Sequence, residues 1–141
     1  MSGRSCRSMK VYAPVVGRGE GTEMSRSVLV VDDDATVRAL LTAVFSGAGL
    51  RVLSAAGGVE ALDILDGDSV DIVVTDAQMP GMDGAELVAA LRARPDTADI
   101  PVLLCTGSHL GNVVANAQAA GVLPKPMRPK ELLAAVLPFF S

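Results

Sequence analysis

Five times between Ser27 and Phe140, a short apolar run gives way to a segment whose apolar residues recur at helical spacing. The first run is Ser27–Val31. Behind it Val37, Leu40, Leu41, Val44 and Phe45 fall at i, i+3, i+4, i+7 and i+8, one face of a helix that Gly47 and Gly49 bring to an end. Arg51–Ala55 is the second strand, and Val59–Asp66 a short helix with Leu62 and Leu65 turned inward. Ile72–Thr75 is the third strand, closed by the turn Met79-Pro80-Gly81. Asp83 then caps a helix running to Arg94 with Leu87, Val88 and Leu91 on one face. Pro101–Cys105, an Ala-rich helix Leu110–Ala120 stopped by Gly121, and the short strand Val122–Leu123 follow. Glu131–Phe140 closes the chain with Leu132, Leu133, Val136, Leu137 and Phe140 on a single stripe. Strands and helices alternating through short connections predict an α/β fold, a doubly wound parallel sheet of five strands covered on both faces. Right-handed crossovers leave few topologies for such a sheet, and its sites lie beyond the carboxyl ends of the strands. With half of the residues hydrophobic but only 3% aromatic, aliphatic side chains fill the core.

Two regions differ in character. Residues 1–25 are rich in Ser, Gly and Arg, lack hydrophobic periodicity and are expected to be a disordered leader, with 26–141 as the folded domain. Met24, just before the first strand, is an alternative natural start. Residues 1–26 hold five basic side chains against two acidic, and the remainder seven against fourteen, so an acidic body carries the net charge of −4. That balance argues against direct nucleic-acid binding, which depends on Lys and Arg neutralising phosphates. No stretch approaches the roughly 18–20 apolar residues that span a bilayer. The apolar Val11–Val16 is short and broken by Pro14. A cytoplasmic protein without a membrane partner is expected. Cys6 lies in the polar leader and Cys105 in an apolar strand, a placement that does not suggest a disulfide.

The polar residues at the strand ends carry the chemistry. Strand one runs into Asp32-Asp33-Asp34, strand three into Asp76, strand four into Thr106 and strand five into Lys125. Carboxylates about 4 Å apart repel by roughly 4 kcal/mol per pair at an effective dielectric near 20, so a cation or a proton has to relieve such a cluster. Oxygen-only ligands suit Mg²⁺, which binds through one or two carboxylates together with phosphate oxygens. Lys125 and Thr106 offer a positive charge and a hydroxyl donor to phosphoryl oxygens. One carboxylate is left over as a nucleophile, an established role for Asp.

The segments Val28-Leu-Val-Val-Asp-Asp-Asp34, Val74-Thr-Asp-Ala-Gln-Met-Pro-Gly-Met-Asp-Gly84, Thr106-Gly107 and Lys125-Pro126 together resemble the response-regulator receiver family of two-component signalling, over about residues 27–140. The resemblance implies a flavodoxin-like three-layer sandwich with sheet order 2-1-3-4-5, the order of the chemotaxis receiver, from which it is taken. It implies Asp76 as phosphoacceptor, with Asp32, Asp33, Asp76 and the Gln78 backbone carbonyl holding Mg²⁺, and Thr106 and Lys125 contacting the phosphoryl group. It also implies a cis Lys125–Pro126 bond, and a histidine kinase or histidine phosphotransfer protein as donor. With the last helix ending at the chain terminus, output is expected through binding to another protein. Catalysis would be limited to the domain's own phosphorylation and dephosphorylation.

Plainer roles exist for several of these residues. Asp34 fits a helix N-cap, which accounts for one aspartate but not three. Asp76 alone would pass for a turn residue, Thr106 for a strand-end hydroxyl and Lys125 for a solvated surface lysine. His109, the single histidine, reads as an exposed loop residue. The sequence departs from the family where an aromatic often stands three residues before the lysine; here that residue is Val122. Pro124 removes a strand donor beside the site, which an edge strand tolerates. One rival of another class is a haloacid-dehalogenase-like phosphatase, since Asp32-Asp33-Asp34-Ala35-Thr36 also matches Asp-x-Asp-x-Thr with Asp32 as nucleophile. No acidic pair follows Lys125, no room is left for a substrate-capping insertion, and Asp76 would have no task. A receiver module of a hybrid sensor kinase keeps the same site in another setting.

Overall fold

The computed structural model describes residues 26–107 and 119–140. Within them the strands are β1 (Ser27–Val31), β2 (Arg51–Ala55), β3 (Ile72–Asp76), β4 (Val102–Thr106) and β5 (Gly121–Pro124). The helices are α1 (Ala35–Gly47), α2 (Gly58–Gly67), α3 (Gly84–Arg92) and α4 (Pro129–Val136), the last followed by a 3₁₀ turn, Leu137–Phe140. The sheet has the order β2-β1-β3-β4-β5 with all neighbours parallel, as the resemblance implied.

All five residues of β1, β3 and β4 are buried, because helices cover both faces of a parallel sheet. The period-two alternation of strands divides the core. Leu29, Val31, Val73 and Leu104 pack with Leu65, Leu87, Val88 and Leu91 of α2 and α3. Val28, Val30, Ile72, Val74 and Leu103 pack with Leu41 and Phe45 of α1 and Leu132 and Val136 of α4. The helix starts follow from their caps. Asp34 accepts the Thr36 amide at 2.8 Å, as expected of an N-cap. Asp83 and Glu86 form a reciprocal capping box. At the other end of α1, Gly49 has φ +89°, a left-handed conformation open to glycine.

The structure shifts several element boundaries. β3 and β4 extend through Asp76 and Thr106 themselves, one residue beyond the apolar runs. The closing helix begins at Pro129, not Glu131, and tightens into a 3₁₀ turn after Val136. Leu137, expected on the apolar stripe, opens that turn and is 39% exposed. Leu40, expected on the buried face of α1, is 49% exposed. It borders a cleft of about 400 Å³ lined by Val37, Leu41, Pro126, Met127 and Leu132, where α1 stands against the Lys125–Met127 turn. Pro124 does lie in an edge strand. Among the described residues no helix is long and apolar enough to cross a membrane. Cys6, Met24, His109 and most of the expected helix Leu110–Ala120 lie outside the described residues.

Candidate active site

A polar cluster gathers at the carboxyl ends of β1, β3, β4 and β5. Asp32, the residue after β1, is 2% exposed and held on every side. Its amide donates to the Ala55 carbonyl at 3.1 Å, continuing the β1–β2 ladder. Its carbonyl accepts from Arg38 Nη1 at 2.7 Å, and its Oδ1 accepts from the Asp34 amide at 2.9 Å. Asp33, next in the chain, is exposed. Asp76 closes β3 at 8% exposure, paired in register with Cys105, and the next amide, Ala77, donates to the Cys105 carbonyl at 2.8 Å.

Lys125 follows β5, with its amide donating to the Thr106 carbonyl at 2.8 Å. That bond ties the lysine to the end of β4. Its Nζ reaches Asp76 Oδ1 at 3.1 Å and Asp32 Oδ2 at 3.6 Å. The Gln78 amide donates to the same Asp76 Oδ1 at 3.4 Å. Thr106, the last residue of β4, is buried. The Lys125–Pro126 bond is cis. Carboxylate oxygens of Asp32, Asp33 and Asp76 all lie within 4.8 Å of one another. The structure thus brings together Asp32, Asp33, Asp76 and Lys125 by direct distance. Thr106 and Gln78 join them through the ends of β4 and β3.

The electrostatics follow from this crowding. Burial is the largest influence on Asp32 and raises its pKa; the neighbouring Asp76 pushes the same way, against the Asp34 amide and Lys125. Burial pulls Lys125 down, but the hydrogen bond to Asp76 and the charges of Asp76 and Asp32 outweigh it, so its pKa is raised and the ammonium is retained. Burial pushes the Cys105 thiol beneath the site up to about 12. Among the described residues, three acidic side chains with the Lys125 ammonium between them leave an excess of negative charge. Their oxygen-only donor set fits a hard divalent cation such as Mg²⁺.

Two contributors escaped the sequence reading. Arg38 reaches back from the second turn of α1, and the signal was present in principle. Helical side chains lean toward the N-terminus, so a long basic residue four after an N-cap can return to the strand end. The other is Gly84 at the start of α3. A Cβ there would stand 2.6 Å from the Asp76 carbonyl oxygen, 2.6 Å from Leu104 Cδ2 and 2.9 Å from Ala77 Cα. Only a residue without a side chain lets α3 approach the backbone of Asp76 so closely.

A five-stranded parallel sheet in this order, with an acidic cluster and a lysine at its carboxyl edge, defines a receiver-type signalling domain. The profile of the response regulator receiver domain matches residues 28–137. Response regulator MprA of Mycobacterium tuberculosis H37Rv is 43% identical over 114 residues, which make up 79% of this chain and 49% of that protein. Among solved structures, chemotaxis response regulator CheY4 of Vibrio cholerae superposes with a TM-score of 0.77 at 30% identity, covering 82% of this chain and 99% of that one. A candidate response regulator from Chloroflexus aurantiacus gives 0.77 at 36% identity, covering 82% and 97%. The chain belongs to the response-regulator receiver family. It carries a receiver domain of two-component signalling, and it spans about half the length of the curated relatives it matches.

Proposed function

We propose that this receiver accepts a phosphoryl group on Asp76 from a histidine kinase or histidine phosphotransfer protein and passes the signal on by binding another protein. The observation that carries this reading is the ammonium of Lys125, 3.1 Å from Asp76 Oδ1 and 3.6 Å from Asp32 Oδ2, inside a triad of carboxylates. An Asp76 oxygen attacks the phosphorus of a phosphohistidine. The new P–O bond forms as the P–N bond breaks, and the histidine nitrogen departs. Lys125 neutralises charge on the incoming phosphoryl oxygens, and the Thr106 hydroxyl donates to one of them. Asp32, Asp33, Asp76 and the Gln78 carbonyl would hold Mg²⁺, which when bound supplies positive charge to the carboxylates and the phosphoryl group alike.

The protein is not an enzyme toward external substrates in this reading. It acts on its own carboxyl group and on the resulting acyl phosphate. The acidic balance of residues 27–141 supports a protein partner for this domain over a nucleic-acid backbone.

The test is incubation with acetyl phosphate, with and without Mg²⁺, followed by mapping of the modified residue by mass spectrometry. One acid-stable, base-labile phosphoryl group on Asp76 is expected, dependent on a divalent cation and absent in Asp76→Asn. Labelling that persists in Asp76→Asn and disappears in Asp32→Asn would transfer the nucleophile to Asp32 and favour phosphatase-type chemistry.

A further inference from the structure

The turn from β1 into α1 carries two of the three carboxylates, yet they are held very differently. Asp32 is buried, whereas Asp33 is exposed, so the position of Asp33 rests on the backbone that delivers it. The peptide plane between the two is made of the Asp32 carbonyl and the Asp33 amide. Because that plane is rigid, whatever fixes the carbonyl also fixes the bond leading to the Asp33 Cα. Arg38 Nη1 donates to this carbonyl at 2.7 Å. Arg38 is itself anchored, half-buried in α1 with its amide donating to the Asp34 carbonyl at 3.0 Å. The Asp34 amide in turn donates to Asp32 Oδ1. Arg38, Asp34 and Asp32 therefore close a ring of contacts around the turn.

We infer that Arg38 is a positioning residue for the cation site, orienting the peptide between Asp32 and Asp33 so that both carboxylates converge with Asp76. This rests on the reading of these residues as a Mg²⁺ site. A guanidinium beside a cation site has two opposing consequences. As a positive charge it weakens cation binding, and as a clamp on ligand-bearing backbone it strengthens it. Outer-shell contacts of this kind typically govern metal affinity by about tenfold or more. The direction of the effect on removing Arg38 therefore separates the two roles. Since one donor atom makes the contact, a lysine of similar reach can replace it without the two-pronged geometry for which arginine is usually irreplaceable.

The experiment is calorimetric titration of the full chain with Mg²⁺ for wild type, Arg38→Ala and Arg38→Lys, with melting temperatures recorded in EDTA. Arg38→Ala is expected to weaken Mg²⁺ binding roughly tenfold, and Arg38→Lys to restore it to within about threefold of wild type. The amide resonance of Asp33 is expected to move in the alanine variant without metal. If Arg38→Ala does not fold, Arg38→Gln, too short to reach the carbonyl, is expected to show the same loss. Unchanged or tighter binding without Arg38 overturns the inference, as does failure of lysine to restore it. Wild-type protein that binds no Mg²⁺ overturns the inference and the site reading together, which the wild-type titration reveals by itself.

Discussion

Replacing Asp32 by Asn sets the two electrostatic states of the site against each other. Asp32 lies within 4.8 Å of carboxylate oxygens of Asp33 and Asp76 and 3.6 Å from Lys125 Nζ. At an effective dielectric of about 20, each repulsion at that separation is about 3.5 kcal/mol and the attraction to lysine about 4.6 kcal/mol. Asp33 faces water, where the same separation is worth only about 1 kcal/mol, so attraction and repulsion nearly cancel. What remains is the cost of burying the Asp32 charge, in keeping with its raised pKa. Asn retains a carbonyl oxygen for the Asp34 amide and removes that cost. Metal-free Asp32→Asn is therefore expected to be more stable than wild type by about 1 kcal/mol, on the order of 4 °C in Tm for a domain of this size. The sign with pH follows. A carboxyl whose pKa is raised on folding stabilises the native state below its ordinary value of 3.8 and loses that contribution as pH climbs through the raised one. The advantage of the variant thus opens as pH rises above 3.8 toward neutrality. With Mg²⁺ at one hundred times its Kd the order inverts, because wild type gains about 2.7 kcal/mol from the ligand and the variant little of it. Thermal melts followed by circular dichroism, in EDTA and in Mg²⁺, measure both arms. A variant less stable than wild type in EDTA, or equal gains from Mg²⁺ in both proteins, would refute the reasoning.

Three further outcomes are expected. Cys105, with its thiol pushed up to about 12 by burial, stays protonated and resists iodoacetamide at pH 8 in native protein, reacting only on unfolding; peptide mapping separates it from Cys6. Val122, 41% exposed on the edge strand, is β-branched and has no large ring to swing, so beryllofluoride should move amides near Thr106 and Gly107 strongly and those of α4 only modestly. NMR shifts in α4 as large as those at Thr106 would assign the switching to another residue. Deleting residues 1–23, proposed to form a polar leader outside the domain, should leave Tm and phosphorylation unchanged within error; a truncated protein that aggregates would show that the leader packs on the domain.

The sheet and four of its strand ends were legible because a parallel sheet buried on both faces writes its strands as continuous apolar runs, with the site where each run stops. Asp32, Asp76 and Thr106 stand at such stops, whereas Lys125 follows the half-exposed β5 and was singled out only by its combination with the other three. The limit of a run still misplaces the end of a ladder, since Asp76 and Thr106 keep strand pairing after the apolar residues have ended. Leu40 and Leu137 show another limit. A helical stripe tells which face is apolar, but not how far the neighbouring element extends to cover it. Arg38 could have been suspected from its place four residues after the N-cap, whereas the need for glycine at position 84 arises from a close approach of α3 to β3 and β4 that local sequence spacing does not record.

Gly84 also has a mechanical consequence. On its flank of Asp76, the first turn of α3 rests against the carbonyl of Asp76 and the Cα of Ala77, and its amide donates to the Ala77 carbonyl at 2.9 Å. Strand, loop and helix are stacked there with no slack, and push on one another like stones in an arch. A bulky group added to Asp76 therefore finds stiff resistance toward α3, so on this flank strain is passed from strand to helix rather than absorbed in the loop.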